Sequence, residues 1–509
     1  MTTQQDAKNR WPITISIMLA TVMNSLDTTI ANVALPHIQG SVSASADQIT
    51  WVLTSYIVSA AIMTPLSGWM ADRIGRKRMF LLSIGGFTAA SMLCGIASSL
   101  PEIVIFRVLQ GVFGAALIPL SQAVLLDINP PEKHGQAMAI WGAGAILGPI
   151  LGPVLGGYLT QDFSWRWCFF VNLPIGILAF LGVLFFISSD KDIRAKKFDF
   201  LGFGMLSLFV AAFQIVLDRG PSQDWFNSRE IWTETILAII GLWVFVTHTM
   251  TTRNPFFDPG LIRDRNFVTA SIFGFFVGIL LFSSLALLPP MMQTLLDYPV
   301  LTSGLVTMPR GIGSLIAMFA VGQLIGRVDT RLILLFGLSL GGIAFWQMTH
   351  FDLSMTAKPL IVSGLIQGLG IGLLFVPLSA LAFATLPARL RSEGSSVYTL
   401  IRNLGASVGI SIMNALLVSN TQTMHGSLAA KIIPSDAAVR AELPPMFDTS
   451  TVGGLTALNA EITRQASMVA YVDDFKLMLI ITLICIPMLL FLRKPRRAAD
   501  AEPLHAAVE

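Results

Sequence analysis

The chain has 509 residues, of which 54% are hydrophobic and only 12% are charged, about half the charged fraction of an ordinary soluble domain. This composition excludes a soluble globular protein and predicts an integral membrane protein. The formal net charge of +3 comes from basic residues that are dispersed over short connections, which excludes nucleic acid as a partner. The three cysteines have neither disulfide nor metal-ligand spacing, so we expect no metal site.

Fourteen apolar segments are long enough to cross a bilayer as helices, so the sequence predicts an all-α integral membrane protein. Lys and Arg are concentrated in alternate connections, and an even number of spans then places both termini in the cytoplasm. The predicted spans are 12–36, 49–71, 79–99, 102–126, 137–159, 167–188, 199–217, 231–250, 267–290, 302–325, 331–349, 359–382, 396–419 and 476–492.

The fourth and twelfth spans share a motif. Residues 109–111 (Leu-Gln-Gly) and 118–121 (Ile-Pro-Leu-Ser) recur as residues 366–368 (Ile-Gln-Gly) and 376–379 (Val-Pro-Leu-Ser). The repeat predicts two six-helix halves, residues 1–190 and 263–509, joined by a linker over 191–262 that carries an inserted pair of helices. Repeated halves around a central site are typical of secondary transporters, although gene duplication alone would leave the same repeat.

The first span contains a carboxylate, Asp27, at a depth where a charge is costly and is therefore a candidate functional group. Asn24, Thr28 and Asn32 recur at three- and four-residue steps, so their polar side chains share one face of the helix with Asp27. We expect this face to line an interior cavity that holds substrate. Alternatively, Asp27 only joins a neighbouring helix through a hydrogen bond.

The connection after the second span, residues 68–78, combines glycines, a carboxylate and several cations. Its candidate residues for a conformational switch are Gly68, Asp72, Arg73, Gly75 and Arg76. Glycine permits close helix approach, and Asp72 can pair with arginines or cap a neighbouring helix. The alternative is simple anchoring by positive charges on the cytoplasmic side.

In the fourth span, Arg107 and Gln110 lie one helical turn apart. At 1.5 Å per residue, both come within roughly one turn of the depth of Asp27, so either could contact it across a cavity. Burial favours a protonated Asp27, whereas an adjacent arginine favours the carboxylate, so moving this partner would change proton binding. A permanent structural ion pair is the alternative.

The fifth span has glycines at four-residue steps together with two Gly-Pro pairs. The glycines predict a smooth face for tight helix contact, and the prolines remove backbone donors and favour a kink. A generic tight crossing would require only the glycines. The residues of this pattern are Gly144, Gly148, Pro149, Gly152, Pro153, Gly156 and Gly157.

Arg310 and Arg402 are predicted to be intramembrane cations of the C-terminal half. Spans nine to thirteen contain no Asp or Glu that could neutralise them, and we expect no second buried carboxylate in this half. The two arginines either line the cavity and contact an anionic or electron-rich substrate, or bond to helix carbonyls.

The outer loop over 420–475 is longer than a connector requires. Its later part, residues 455–468, has the apolar spacing of a helix that continues into the last span. We expect the loop either to dock a partner protein or to cover the outer mouth as a lid.

Together, residues 26–36, 68–78 and 107–111 and the Gly-Pro series resemble the signature motifs of the major facilitator superfamily. More narrowly, they resemble its fourteen-span drug:proton antiporters of the EmrB type, and this resemblance extends through residues 217–226 and 458–466. It implies proton coupling by Asp27 and Arg107, a conformational switch in the first cytoplasmic loop, and export rather than import from the span-five motif.

The resemblance also implies proton-coupled efflux of lipophilic drugs by alternating access across a bacterial inner membrane, driven by the proton gradient without a cofactor. EmrB-type relatives act with a periplasmic adaptor and an outer-membrane channel, which suits lipophilic weak acids and neutral drugs. The expected lack of a second buried carboxylate in the C-terminal half counts against dicationic substrates.

Other function classes are less well supported by the sequence. It contains no His-Glu-x-x-His zinc motif and no Gly-Lys pair of a phosphate-binding loop, so neither an embedded metalloenzyme nor an ATP-driven pump is predicted. An exporter of one endogenous metabolite or lipid, and a membrane sensor or scaffold without transport, remain alternatives.

Overall fold

The computed structural model describes residues 10–130, 133–188, 198–325, 327–387, 390–432 and 444–492. The first residues of the predicted linker, 191–197, and residues 433–443 of the predicted outer loop lie outside this part. The described chain is almost entirely helical, with one isolated bridge between Ile325 and Val328. Its α-helices are α1 Arg10–Ser41, α2 Ala46–Ile49, α3 Trp51–Ile74, α4 Arg76–Ile96, α5 Leu100–Gly114, α6 Leu117–Ile128, α7 His134–Asp162, α8 Trp167–Phe170, α9 Asn172–Phe186, α10 Phe200–Arg219, α11 Arg229–Thr251, α12 Gly260–Arg263, α13 Arg265–Thr294, α14 Val300–Leu324, α15 Thr330–Met348, α16 Ala357–Ala384, α17 Arg391–Ala429 and α18 Val452–Met488.

Thirteen helical segments in the described residues are long and apolar enough to cross a membrane, and they coincide with the first thirteen predicted spans. The fourth of these, Leu100–Ile128, consists of α5 and α6, and the sixth, Trp167–Phe186, consists of α8 and α9. The predicted fourteenth span lies in α18, which is not among these thirteen because its apolar stretch includes the charged residues Asp473, Asp474 and Lys476. The all-α membrane fold is therefore confirmed, and the count of fourteen stays a prediction.

The helices of the predicted halves pack around buried apolar clusters. In the N-terminal half, α1 packs against α7 and α9, and α3 packs against α5. In the C-terminal half, α14 packs against α16, and α13 packs against α17. A continuous apolar cluster crosses between the halves and includes Phe80, Met138 and Trp141 on one side and Phe375 and Phe383 on the other.

Helices α10 and α11 occupy the edge of the structure. The Thr54 hydroxyl of α3 donates a hydrogen bond to the Asp218 carboxylate, and Ser411 Oγ of α17 donates to the Leu217 carbonyl at 2.6 Å, so α10 is fixed to both halves. Helix α11 packs on α10, and most of its apolar side chains are exposed, as expected for a surface in contact with lipid. The interpretation of α10 and α11 as an inserted pair of helices stays a prediction.

Helices α17 and α18 are much longer than a bilayer requires. They have 39 and 37 residues, which at 1.5 Å per residue is about 55–60 Å, against roughly 30 Å of hydrocarbon. Residues 455–468 are helical and continuous with the last predicted span. Near this projecting part, a bidentate contact with Arg464 lowers the pKa of the Glu461 carboxyl below its ordinary value.

Candidate functional site

The structure brings Asp27, Arg107 and Gln110 together in the interior of the N-terminal half. Asp27 is 0% exposed and accepts hydrogen bonds of 2.8 Å from Arg107 Nη1, Gln110 Nε2 and Asn172 Nδ2. The three donors come from α5 and α9, while Asp27 lies in the middle of α1. One buried carboxylate therefore links three helices.

Arg107 is held in place by groups other than the carboxylate. Its Nε donates to the Val52 carbonyl at 3.1 Å, and its Nη1 also donates to Gln110 Oε1 at 2.8 Å. The guanidinium carbon lies 4.4 Å from the centre of the Tyr56 ring, an arrangement that favours the cation. Asp27 thus meets a cation whose position is set by α3 and α5.

This geometry couples proton binding to helix position. A buried carboxylate that accepts several donors, one of them cationic, is stabilised in its charged form. Adding a proton to Asp27 removes its charge and leaves Arg107 as an uncompensated buried cation, which is costly unless the arginine moves or hydrates. Proton binding at Asp27 and movement of Arg107 are therefore energetically linked.

Sequence reasoning missed Asn172 and Tyr56. Asn172 Nδ2 donates to both Asp27 Oδ1 and Ser91 Oγ, at 2.8 and 2.9 Å. The signal for Asn172 was available, because an amide in a very apolar predicted span is expected to bond across helices. Tyr56 gives no such signal, because an aromatic residue in a span is ordinary.

The other polar residues of α1 have different surroundings. Asn24 is buried, and its Nδ2 donates to the Tyr56 hydroxyl at 3.2 Å and to the Gly114 carbonyl at 3.4 Å. Thr28 is half-buried and donates to the backbone carbonyl of Asn24, and Asn32 is exposed. The predicted polar face therefore runs from a buried inner end to an accessible outer end, with Asp27 beside it.

The predicted glycine face of the fifth span packs directly against α1. A Cβ atom on Gly148 would lie 2.4 Å from the Ser25 backbone, so no larger residue fits without moving α1. The Thr29 hydroxyl, two residues from Asp27, donates to the Gly148 carbonyl at 3.1 Å. Gly144, Gly152 and Gly156 continue the contact along α1, Pro149 and Pro153 lie within the same helix α7, and Gly157 faces Val300 of α14.

The predicted switch residues lie at the inner end of the molecule, the end that the charge pattern predicts to be cytoplasmic. The backbone at Gly68 packs against Ser392 and Glu393 at the start of α17, and Asp72 lines a small pocket with Glu393. Gly75 joins α3 to α4 with a φ of 90°, which residues with a side chain rarely adopt. Arg73 stacks 5.0 Å from the Trp69 ring.

Polar contacts between the halves close this inner end. Asp127 of α6 forms ion pairs with Arg76 of its own half and with Arg391 of α17, the latter at 2.9 Å. Ser395 Oγ donates to Gln122 Oε1 at 2.7 Å. The hydroxyls of Ser67 and Ser396 lie 3.0 Å apart. The predicted first-loop cluster thus extends to Asp127, which the sequence alone did not single out.

Arg310 occupies the repeat-related counterpart of the Asp27 cluster. It is buried, and its Nη2 donates to the Leu281 carbonyl at 3.1 Å and to Ser284 Oγ at 2.8 Å. Gln367, the repeat partner of Gln110, donates to the same Ser284 at 3.1 Å. Ser284 therefore accepts hydrogen bonds from an arginine and a glutamine, as Asp27 does in the N-terminal half. Arg310 fits the carbonyl-bonding alternative.

Arg402 has a different environment. It is 5% exposed, and its Nε and Nη1 have no hydrogen-bond partner within the described ranges. Its guanidinium carbon lies 5.3 Å from the centre of the Phe375 ring, which stacks on Trp141 of the other half with centroids 5.5 Å apart. A buried cation beside an aromatic wall at the interface between the halves has the chemistry of a site for an anionic or aromatic ligand.

The expectation of no second buried carboxylate in the C-terminal half is wrong. Asp474 of α18 is 1% exposed. The predicted last span begins at residue 476, which leaves Asp474 in the outer loop. In the structure, α18 begins at Val452 and packs against α15 and α17. The prediction places the start of the last helix too late, because apolar patterning defines a helix boundary poorly where charged residues flank a span.

The family follows from comparison with known proteins. The Major Facilitator Superfamily profile matches residues 17–410. The chain belongs to this superfamily. It is 35% identical over 424 residues to the multidrug export protein EmrB of Haemophilus influenzae, with 83% of each chain covered. It is 33% identical over 489 residues to the fatty acid resistance protein FarB of Neisseria gonorrhoeae, with 95% of this chain and 96% of that one covered.

The fold of the superfamily is also found by structural comparison. The crystal structure of the human organic anion transporter MFSD10 (TETRAN) matches 94% of this chain and 100% of that one with a TM-score of 0.59. At 14% identity this match shows the fold alone. The resemblance of the sequence motifs to the major facilitator superfamily and its EmrB-type permeases is thus confirmed, and the chain is a multi-pass membrane protein of a transporter family rather than an enzyme.

Proposed function

We propose that this chain exports lipophilic drugs from the cytoplasm across a bacterial inner membrane in exchange for protons. The observation that carries the proposal is the fully buried Asp27 cluster, where binding a proton disturbs an ion pair that links three helices. The name of its relative, multidrug export protein EmrB, supports drug export as the activity. The energy source is the proton gradient, and no cofactor is required.

The test of this proposal is substrate-induced proton release from the purified chain and efflux in proteoliposomes. Asp27→Asn keeps the size of the side chain and removes its ability to bind and release a proton. We expect proton release and uphill efflux to be abolished while expression stays at the wild-type level. Glu102→Gln, which changes an exposed carboxylate at the start of α5, serves as the matched control.

Retention of uphill efflux by Asp27→Asn would contradict the assigned role. Absence of proton release from the wild-type chain with every drug in a panel of lipophilic acids, neutrals and cations would contradict proton exchange itself. Efflux of a single compound from a broad panel would favour the alternative of a dedicated metabolite or lipid exporter.

For the substrate contact, we propose Arg402 with the aromatic pair Trp141 and Phe375. Its unpaired guanidinium nitrogens can bond to a carboxylate or phenolate, and the stacked rings can contact an apolar body. The related protein FarB is named for resistance to fatty acids, which are lipophilic acids of this type. Asn24, Thr28 and Asn32 would contribute polar contacts from α1, whereas Arg310 already has carbonyl and hydroxyl partners.

Substitution of Arg402 tests the substrate contact. Arg402→Ala should weaken binding of lipophilic acids about tenfold or more, because a hydrogen bond to a charged group contributes roughly 1.5–3 kcal/mol. Binding of neutral drugs should change little, and the two drug classes act as controls for each other in a fluorescence-quenching or equilibrium binding assay. An equal loss for acids and neutrals would assign Arg402 to structure instead.

We further propose that a periplasmic adaptor and an outer-membrane channel complete the export path. The outer loop over 420–475, which includes the projecting ends of the long helices α17 and α18, is the surface proposed for adaptor docking. Deleting residues 427–450 should then abolish co-purification of the adaptor while leaving drug binding unchanged. Unchanged co-purification would contradict docking on this segment and favour its alternative role as a lid.

A further inference from the structure

The buried carboxyl group of Asp474 has no hydrogen-bonding or ionic support. It is 1% exposed, and neither of its oxygens has a hydrogen-bond partner in the portion of the chain that is described. Tyr471, Phe475 and Met478 of the same helix belong to a buried apolar cluster, and the Phe475 ring packs against Phe351 with centroids 5.9 Å apart. A negative charge in this position would lose its hydration without replacement.

The charged residues on the helices packed against α18 lie elsewhere. Helices α13 and α15 carry one charged residue each, Arg265 and Arg331, both in the first turn at the inner end. Lys476 of α18 is engaged by Asp473 at 2.9 Å. The titratable residues of α17 have other positions or partners: Arg391 and Glu393 lie at its inner end, Tyr398 packs against Phe383, Arg402 lies over Phe375, and His425 contacts Thr463.

The charge that does act on Asp474 is therefore a negative one. Asp473 is the next residue in the chain, pairs with Lys476, and disfavours a second negative charge beside it. Burial, the lack of donors and this neighbour act in the same direction, so the neutral acid is the more stable form at this position. Asp27 has different surroundings, because it accepts three hydrogen bonds, one of them from the guanidinium of Arg107.

We propose that Asp474 is a second proton-binding site, in the C-terminal half, and that it holds a proton in the conformation closed at the inner end. The proton is bound as an O–H on one carboxyl oxygen, and it leaves to water when movement of α18 against α15 and α17 hydrates the site. Binding of a proton at Asp474 stands without the proposed drug export, and only its use in transport rests on that proposal.

Infrared difference spectroscopy on the purified chain in lipid tests the bound proton directly. An alkaline titration of the wild-type protein should remove the carbonyl stretching band of a buried protonated carboxyl group. This band should be missing in Asp474→Asn, an isostere of the neutral acid, and present in Asp473→Asn, which changes the neighbouring and more exposed carboxylate. In transport, Asp474→Asn should release fewer protons per bound drug than the wild type and the Asp473→Asn control.

Two results would overturn the inference. The first is a wild-type spectrum without a band of a protonated carboxyl group at neutral pH, which requires no variant. The second is a band that persists unchanged in Asp474→Asn. Drug export is not needed for either measurement, so a band assigned to Asp474 in a chain that shows no drug-induced proton release would refute proton-coupled export while leaving the second site in place.

Discussion

At the scale of single residues, Asp27, the proposed proton site, is hydrogen-bonded to residues of two other helices. A carboxylate in contact with a fixed arginine can change its protonation only when a donor moves, and each donor contributes to the stability of the charged form. Asn172 is a neutral donor of this kind, because it contacts Asp27 at 2.8 Å and carries no charge of its own. Its removal should therefore tune proton binding without destroying the ion pair.

Asn172→Ala should shift the pH profile of drug-induced proton release to higher pH. The charged form of Asp27 loses one of its donors, so the proton is held up to a higher pH, and a shift of one pH unit would correspond to about 1.4 kcal/mol of lost stabilisation. The measurement is proton release as a function of pH in detergent or lipid. Asn227→Ala, which removes an exposed amide in the connection between α10 and α11, should leave the profile unchanged. A shift to lower pH in Asn172→Ala would contradict the argument.

The residues of this cluster differ in how far the sequence could reveal them. Helical rise fixes depth, and comparison of depths was enough to suggest that Arg107 and Gln110 could meet Asp27. Asn172 contacts Asp27 because α9 is oriented with this residue toward α1. A single polar residue in an apolar span does not define that orientation. Asp474 was misassigned because its burial depends on packing between α18 and two other helices, which local hydropathy does not encode.

At the scale of elements, the contact between α1 and α7 positions the helix that carries Asp27, the proposed proton site. The glycine face of α7 allows the two backbones to approach closely beside Ser25 and Thr29, and Asp27 lies between these residues. The periodicity of the glycines predicted a tight contact, but not that its partner would be the helix carrying Asp27. A change at this contact should therefore act on both stability and transport.

Gly148→Ala should lower the thermal stability of the chain and impair efflux. Its Cβ would lie 2.4 Å from the Ser25 backbone, and relief of such overpacking typically costs about 1–3 kcal/mol. Gly204→Ala in α10 is the matched control, because its Cβ would have no atom within 4 Å. Thermal unfolding followed by fluorescence measures the difference, and equal stability of the two variants would show that α1 can move away without cost.

At the scale of the whole molecule, the contacts at the inner end define the conformation. Asp127 connects the halves through Arg391 and supports the first loop through Arg76. Gly68 and Ser67 pack on the start of α17, so the loop with the predicted switch residues lies at the contact between the halves. Because the contacts are polar and partly exposed, they can break and reform at modest cost.

Asp127→Asn should shift the chain toward the conformation that is open at the inner end. It weakens the partly exposed ion pair with Arg391 that joins the halves, which is worth up to about 1 kcal/mol, so the ratio of closed to open molecules should fall by up to about fivefold. A disulfide between cysteines introduced at Ser67 and Ser396, whose hydroxyls are 3.0 Å apart, reports closure through its rate of formation. The native cysteines Cys94, Cys168 and Cys485 are buried and give little background.

The cross-linking rate separates a switch from an anchor. If the first-loop cluster only fixes the helix ends to the membrane surface, Asp127→Asn leaves the rate of disulfide formation unchanged. If the cluster holds the halves together, the rate of disulfide formation falls in Asp127→Asn. It stays at the wild-type value in the control Asp162→Asn, which changes an exposed carboxylate at the C-terminal end of α7. Locking the engineered pair as a disulfide should then stop efflux, and reduction should restore it, because the proposed export would require this interface to open in every cycle.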